Sequence, residues 1–342
     1  MWKLMTDNAI TREQREELCE FILNTPQLTQ GSVVKEFEEA WCQWQGCKYS
    51  VFVNSGSSAN MIMVRALSRK NQNWICQAST WITNISPVIQ NDLNLFLCDM
   101  SLRNFGPDLN RLEEFLKRNE NNVLFLTHLM GMPAISDDLL GLCDKYNVTL
   151  VEDCCQAHGA TFKDKKVGNF GVASTFSFYY GHHMTTIEGG MVCTDDESLY
   201  HKLLLLRSYG MFVALPIDQQ KKLWFGVGSS FPDPIFQELG DAFFTFLSDG
   251  YNVKNTEVHA KLGLLQLKGL DNNIEIRNKN YKQFISGLDS NLYYTNFLDE
   301  GISSFSLPIV RRPAGISGDH DVEKLLSKRK IESRPFFGKN LS

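Results

Sequence analysis

The sequence predicts an α/β fold with an open, largely parallel β-sheet covered by helices. Apolar runs rich in Val, Leu and Phe alternate with segments of helical periodicity, and this alternation is typical of a parallel sheet. The 342 residues, 43% of them hydrophobic, are enough to bury a large core in one large domain or in two unequal ones.

The alternating segments follow one another along the chain. The predicted strands are YSVFV, WICQA, NLFLCD, NVLFLTHL and VTLVED, and the helix-like segments between them include ANMIMVRALS, LNRLEEFLKR and SDDLLGLCDKY. A further helical stretch with few breakers runs from Glu257 to Tyr281. It leads us to expect a large domain over residues 1–250 and a smaller C-terminal α/β domain over residues 251–342.

Charge and composition disfavour several classes of function. The formal net charge of −5 leaves no basic excess for a nucleic-acid partner. No apolar run approaches the roughly 20 residues that cross a bilayer, and the first residues lack the apolar core of a signal peptide, so we expect no membrane partner and a cytoplasmic location. Nine cysteines without CxxC spacing indicate reduced thiols, and we predict no metal site, not even at the adjacent Cys154 and Cys155.

Small residues follow the first predicted strand, where the chain enters a helix. Asn54–Ser58 offers free backbone amides at a helix N-terminus, which favours an anion such as a phosphate. The stretch matches neither GxGxxG nor GxxxxGKS/T, which disfavours a dinucleotide or a nucleoside triphosphate as the main ligand. A plain helix cap is the alternative interpretation.

Two further side chains stand at or just after the ends of predicted strands. Asp153 ends VTLVED and can hold the proton of a pyridinium ring, with a helix cap or a surface carboxylate as the alternative. Trp81 follows WICQA and can stack on a flat ring, with simple packing as the alternative. A phosphate cradle, a stacking ring and a carboxylate together suit pyridoxal phosphate (PLP), which needs its charge neutralised, its ring held flat and its N1 protonated.

Several ordered motifs give the chain a family resemblance. The stretches LTQGSVVKEFEEAW, VNSGSSAN, EDCCQAHGA, FSFYYGHH followed by EGGMVCTDD, and GYNVKNTEVHAKLGLLQL resemble the DegT/DnrJ/EryC1/StrS nucleotide-sugar aminotransferase family, from about Gly31 to Pro335. The resemblance implies the aspartate-aminotransferase-like fold (PLP fold type I) and a homodimer with shared active sites. It also implies that the small domain is truncated, because relatives continue beyond the segment that ends here at RPFFGKNLS.

The resemblance also implies which residues bind the cofactor. They are Gly56 and Ser57 in the phosphate-binding turn, Trp81 on the ring face, Asp153 at N1, Gln156 beside the ring hydroxyl, Ser177 at the phosphate, and Asn252 reaching the neighbouring subunit's phosphate. Residues 211–248 resemble no motif of the family.

One position departs from the aminotransferases of this family. Their fifth residue after the serine of SFY is the Schiff-base lysine, and counting from Ser177 reaches His182. The nearest lysines, Lys166 and Lys202, lie outside the motif. The same replacement marks the lysine-less branch of PLP-dependent sugar 3-dehydratases, and an imidazole with an ordinary pKa of about 6.5 suits acid/base work. For His183, substrate binding and packing both stay open.

That branch implies a reaction and its partners. We expect PLP and pyridoxamine phosphate as cofactor forms, glutamate as amino donor, and a nucleotide-linked 4-keto-6-deoxy sugar as substrate, with GDP-4-keto-6-deoxymannose favoured. The C3 hydroxyl would leave as water, and hydrolysis would release ammonia and a 3-deoxy-4-keto sugar. The alternatives are an aminotransferase with an atypical active site and a catalytically silent PLP-fold binding protein. A dehydratase with an iron-sulfur cluster is disfavoured because no cysteine follows Cys193.

Overall fold

A seven-stranded sheet forms the centre of the structure, a computed structural model that describes residues 9–225, 244–312 and 322–334. The strands are β1 (Tyr49–Val53), β2 (Asn73–Gln77), β3 (Asn94–Cys98), β4 (Asn122–Thr127), β5 (Thr149–Asp153), the ribbon β6 (Thr161–Phe162) and β7 (Lys165–Lys166), β8 (Ala173–Ser177) and β9 (Gly190–Thr194). The sheet has the order β1-β9-β8-β5-β4-β2-β3. Only β9 runs antiparallel to its neighbours, so the predicted largely parallel sheet is confirmed.

Helices cover both faces of this sheet. They are α1 (Arg12–Asn24), α2 (Ser32–Gln45), α3 (Gly56–Leu67), α4 (Ile82–Gln90), α5 (Leu109–Leu116), α6 (Asp137–Lys145), α7 (Glu197–Arg207), α8 (Ile217–Phe225), α9 (Glu257–Leu267), α10 (Leu270–Ser286) and α11 (Val322–Lys328). Short side chains accept a backbone N–H at the start of many of them, as Ser55 does for α3 and Ser136 for α6. No helix in the described ranges is both long and apolar enough to cross a membrane.

The alternation of side chains along β1 shows how the two faces are filled. Val51 and Val53 pack with α3 and α7 on one face. Phe52 points to the other face, where it packs edge-on against Phe37 of α2 at a centroid distance of 5.0 Å. Because helices cover both sides of β1, both sides of the strand are apolar. The run YSVFV therefore does not alternate between apolar and polar residues.

The stretch from Glu257 to Tyr281 forms two helices, α9 and α10, and not one. The break falls at Lys268 and Gly269, because glycine disfavours a helix interior. Leu270, the first residue of α10, is fully buried in the core. The carboxylate of Glu257 is buried and accepts backbone N–H groups from the start of α2, at 2.8 to 3.0 Å. This contact fixes α9 to α2, while the domain boundary near residue 250 stays a prediction.

Candidate active site

The phosphate cradle predicted after β1 forms the first turn of α3. Ser55 caps this helix by accepting the N–H of Ser58 at 3.0 Å, and Ser57 is exposed. A side chain on Gly56 would put its Cβ only 2.6 Å from the Cβ of Ser177, at the end of β8. Glycine is therefore required for α3 to approach β8 so closely, and the approach brings the two predicted phosphate-binding segments together.

Asp153 lies at the end of β5 with its carboxylate buried. Its Oδ2 accepts the side-chain amides of Asn60 at 3.2 Å and Asn84 at 2.8 Å, and its Oδ1 accepts the backbone N–H of Cys155 at 2.8 Å. Asn60 in turn accepts the hydroxyl of Thr175 on β8 at 2.6 Å. These bonds fix the carboxylate in one orientation at the carboxyl end of the sheet, where ligands of such folds bind.

Asn60 and Asn84 were not predicted from the sequence, yet they link three of the predicted cofactor contacts, Gly56, Trp81 and Asp153. Asn60 lies one turn after Gly56 on α3, and Asn84 lies one turn after Trp81 on α4. Trp81 keeps 55% of its surface exposed, which leaves a ring face for a ligand. The sequence signal for Asn60 was its place at the end of VNSGSSAN, whereas nothing local marks Asn84.

Two predicted cofactor contacts lie at the margins of this cluster. Gln156 accepts the N–H of Met130 at 2.9 Å, and Met130 has a positive φ of 58°. Asn252 is exposed and lies beside Ser208 through an isolated antiparallel bridge. Within the described ranges no contact joins Asn252 to the cluster around Asp153, so its role across a subunit interface stays a prediction.

His182 lies in the turn that follows β8. Its N–H donates to the carbonyl of Tyr179 at 3.0 Å, its carbonyl accepts from Arg277 at 3.2 Å, and its ring lies 5.2 Å from that of Phe305. Burial, together with the positive charge of Arg277, lowers the pKa of His182 to about 3. Its Nδ1 is shielded from solvent and has no hydrogen-bond partner among the described residues. The imidazole is therefore uncharged at neutral pH and keeps one nitrogen without a partner in the described ranges.

His183 points elsewhere. It is 2% exposed, and its Nε2 lies 3.0 Å from the carbonyl oxygen of Ser303. Burial and the charge of Arg277 lower its pKa to about 3 as well. Of the two interpretations left open, this environment favours packing over substrate binding.

A third histidine was missed from the sequence. His158, in EDCCQAHGA, is fully buried, and its ring lies 6.0 Å from His182 and 5.2 Å from His183. Burial and the neighbouring histidines lower its pKa well below the ordinary value. Both of its ring nitrogens lack a hydrogen-bond partner in the part of the chain that is described.

His128, Glu152 and Cys154 are close enough to share a metal ion, but the side chains of His128 and Glu152 already hydrogen-bond to protein groups. Glu152 accepts from His128 at 3.0 Å and from the backbone of Gly168 at 2.7 Å and of residues 170 and 171. His128 Nδ1 accepts the N–H of Ala134 at 2.9 Å. The group therefore braces β4, β5 and the loop before β8 on the side of β5 opposite to Asp153.

Residues 9–342 match the model of the DegT/DnrJ/EryC1/StrS aminotransferase family. The chain belongs to this family. It is 34% identical to the GDP-4-keto-6-deoxy-D-mannose 3-dehydratase of Escherichia coli O55:H7 over 324 residues, which are 92% of this chain and 80% of that protein. It is therefore an enzyme chain of the PLP-dependent type, as predicted.

Two solved structures extend the comparison. A histidine-to-asparagine variant of GDP-4-keto-6-deoxymannose-3-dehydratase with bound GDP-perosamine is similar with a TM-score of 0.86 at 29% identity, covering 98% of this chain and 86% of that one. The same enzyme with a trapped PLP-glutamate geminal diamine gives 0.83 at 29% identity, with 98% and 86% covered. The predicted PLP fold type I is confirmed by these similarities.

The residues of this DegT-family chain fit PLP. The first turn of α3 approaches Ser177 at a distance that only glycine allows, as the predicted phosphate contacts Gly56, Ser57 and Ser177 require. Donors on three sides hold the carboxylate of Asp153 in place for a ring nitrogen. Trp81 is exposed at the N-terminus of α4, the helix that also carries Asn84. The sequence placed these contacts along the chain, and the fold brings them to one edge of the sheet.

Proposed function

We propose that this chain is a PLP-dependent 3-dehydratase of a nucleotide-linked 4-keto-6-deoxy sugar, with GDP-4-keto-6-deoxymannose as its substrate and glutamate as amino donor. The observation that carries the proposal is the half-buried His182, uncharged at neutral pH, at the position of the family's Schiff-base lysine. The similar enzyme of Escherichia coli supports the choice of sugar, and its glutamate adduct supports the choice of donor.

Each residue of the site has a proposed task. The amides of the first turn of α3, with Ser57 and Ser177, bind the phosphate, and Asp153 keeps the ring nitrogen protonated. Pyridoxamine phosphate, when bound, supplies the amine that condenses with the keto group and the ring that draws off electrons. His182 accepts a proton at its neutral imidazole and delivers it to the C3 hydroxyl, which leaves as water. Histidine cannot bond covalently to the cofactor as lysine does, so elimination takes the place of amino transfer.

A panel of GDP-, CDP-, dTDP- and UDP-linked 4-keto-6-deoxy sugars tests the proposal. We expect ammonia release with the GDP sugar, dependent on both PLP and glutamate, and a product mass that shows loss of the C3 oxygen. A 4-amino sugar formed without ammonia would instead identify an aminotransferase. A protein that neither binds PLP nor converts it with glutamate would be the silent binding protein.

We further propose a homodimer whose active sites are shared between subunits. Exposed apolar side chains close to Asn252 support a subunit interface there. Tyr209, Phe246 and Leu247 keep 43%, 57% and 39% of their area exposed. All nine cysteines are free thiols, and five of them are buried. Because free thiols are typical of a reducing compartment, they support the cytoplasm as the location.

Mixing two defective variants tests the shared site. His182→Asn and Asn252→Ala are each expected to have low activity as pure proteins. If Asn252 acts across the interface, mixed dimers contain one intact site, and random exchange restores about a quarter of the sites. Unchanged low activity after verified subunit exchange, or a fully active monomer by light scattering, would contradict the shared dimer.

A further inference from the structure

Arg277 on α10 is half-buried and holds two segments of backbone together. Its Nη1 donates to the carbonyl of Phe305 at 2.9 Å, and its Nη2 donates to the carbonyl of His182 at 3.2 Å. No carboxylate forms a salt bridge with it within the described ranges. Partial burial of a guanidinium without a counter-charge is costly, and this desolvation lowers the pKa of Arg277 itself. This cost indicates that Arg277 has a function in the protein.

The surroundings of Arg277 show what its charge acts on. The titratable rings that face it are His158, His182 and His183, and its charge lowers the pKa of all three. Among the described residues, His182 also contacts the rings of Tyr179 and Phe305 and the backbone of residue 155. Within the same ranges, Arg277 is the fixed charge that acts on His182.

We propose that Arg277 is the positioning residue of His182: its two N–H donors fix the turn that carries the imidazole, and its half-buried positive charge acts on the ring. The inference rests on the proposed function of His182. It follows because a guanidinium donates in a planar fork to two carbonyls at once, which an ammonium cannot reproduce. A second positive charge on the nearby imidazole is also unfavourable, so the ring stays uncharged.

Two variants separate the fork from the charge. Arg277→Lys keeps the charge and loses the fork, so we expect kcat to fall about ten- to hundredfold with KM within about twofold, since misplacement affects the reacting group more than binding. Arg277→Met removes both, so kcat falls at least as far. Only in Arg277→Met should the imidazole of His182 titrate at a pH higher by about one unit.

NMR of histidine-labelled protein without cofactor measures this titration independently of turnover, and His182→Asn assigns the signal among the seven histidines. Arg312→Met is the matched control, because Arg312 also bridges two carbonyls, those of Ser290 and Tyr293. We expect its kcat and the His182 titration to be unchanged.

Three results would overturn the inference: an unshifted His182 signal in Arg277→Met, a KM change without a kcat change in Arg277→Lys, or an equal loss of kcat in Arg312→Met. If Arg277→Met does not fold, the kcat and KM of Arg277→Lys still decide. The proposed function fails separately, when His182→Asn keeps its ammonia release whatever the Arg277 variants do.

Discussion

Replacing His182 by Asn abolishes dehydration while the protein still binds its cofactor. Asparagine has similar polarity and bulk, but its amide cannot exchange a proton near neutral pH. Burial and the charge of Arg277 lower the pKa of His182 to about 3, so the native imidazole is uncharged throughout the neutral range. We expect ammonia release to fall by about a thousandfold or more, within the range for loss of an acid/base group.

The controls for this variant lie next to it. His183→Asn loses the contact with the carbonyl of Ser303 and should lower thermal stability, while turnover falls less than tenfold, on the order of a packing change. His182→Lys introduces an amine that borohydride should link permanently to PLP, visible as an added mass. Near-normal ammonia release by His182→Asn from a verified 4-keto sugar would disprove its role as the base.

Replacing Asp153 by Asn lowers turnover by about two to three orders of magnitude, because an amide cannot keep a ring nitrogen protonated as a carboxylate does. The donors from Asn60, Asn84 and Cys155 would then meet an amide group in place of a full acceptor. PLP should still bind through the phosphate cradle. Absorbance of bound PLP and single-turnover ammonia release measure the two effects separately.

Glu152→Gln is the matched control for Asp153→Asn. The two carboxylates are neighbours on β5, so their side chains point to opposite faces. In the part of the chain that the structure describes, Glu152 accepts from His128 and from backbone N–H groups of the loop before β8. We expect Glu152→Gln to lower the melting temperature and to keep the turnover of the folded fraction. Equal turnover in Asp153→Asn and the unchanged protein would make Asp153 a structural residue only.

The sequence by itself determined the fold class, the family and the chemistry expected of the site. Strands and helices of regular period are local patterns, so β1 to β5 and the helices α3, α5 and α6 were predictable from apolar runs. The replacement of lysine by His182 is likewise a local fact, because the motif around Ser177 fixes the count along the chain. The break between α9 and α10 was missed, since one glycine is a weak signal against a long helical pattern.

Only the tertiary structure decided how the site is held. Asn60 and Asn84 lie 93 and 69 residues from Asp153, yet both donate to its carboxylate, because the sheet order brings α3 and α4 to the end of β5. Arg277 reaches His182 across 95 residues. Hydrogen bonds between distant segments, and the desolvation that lowers the pKa of His182, depend on which surfaces pack together, and no local pattern in the sequence encodes that packing.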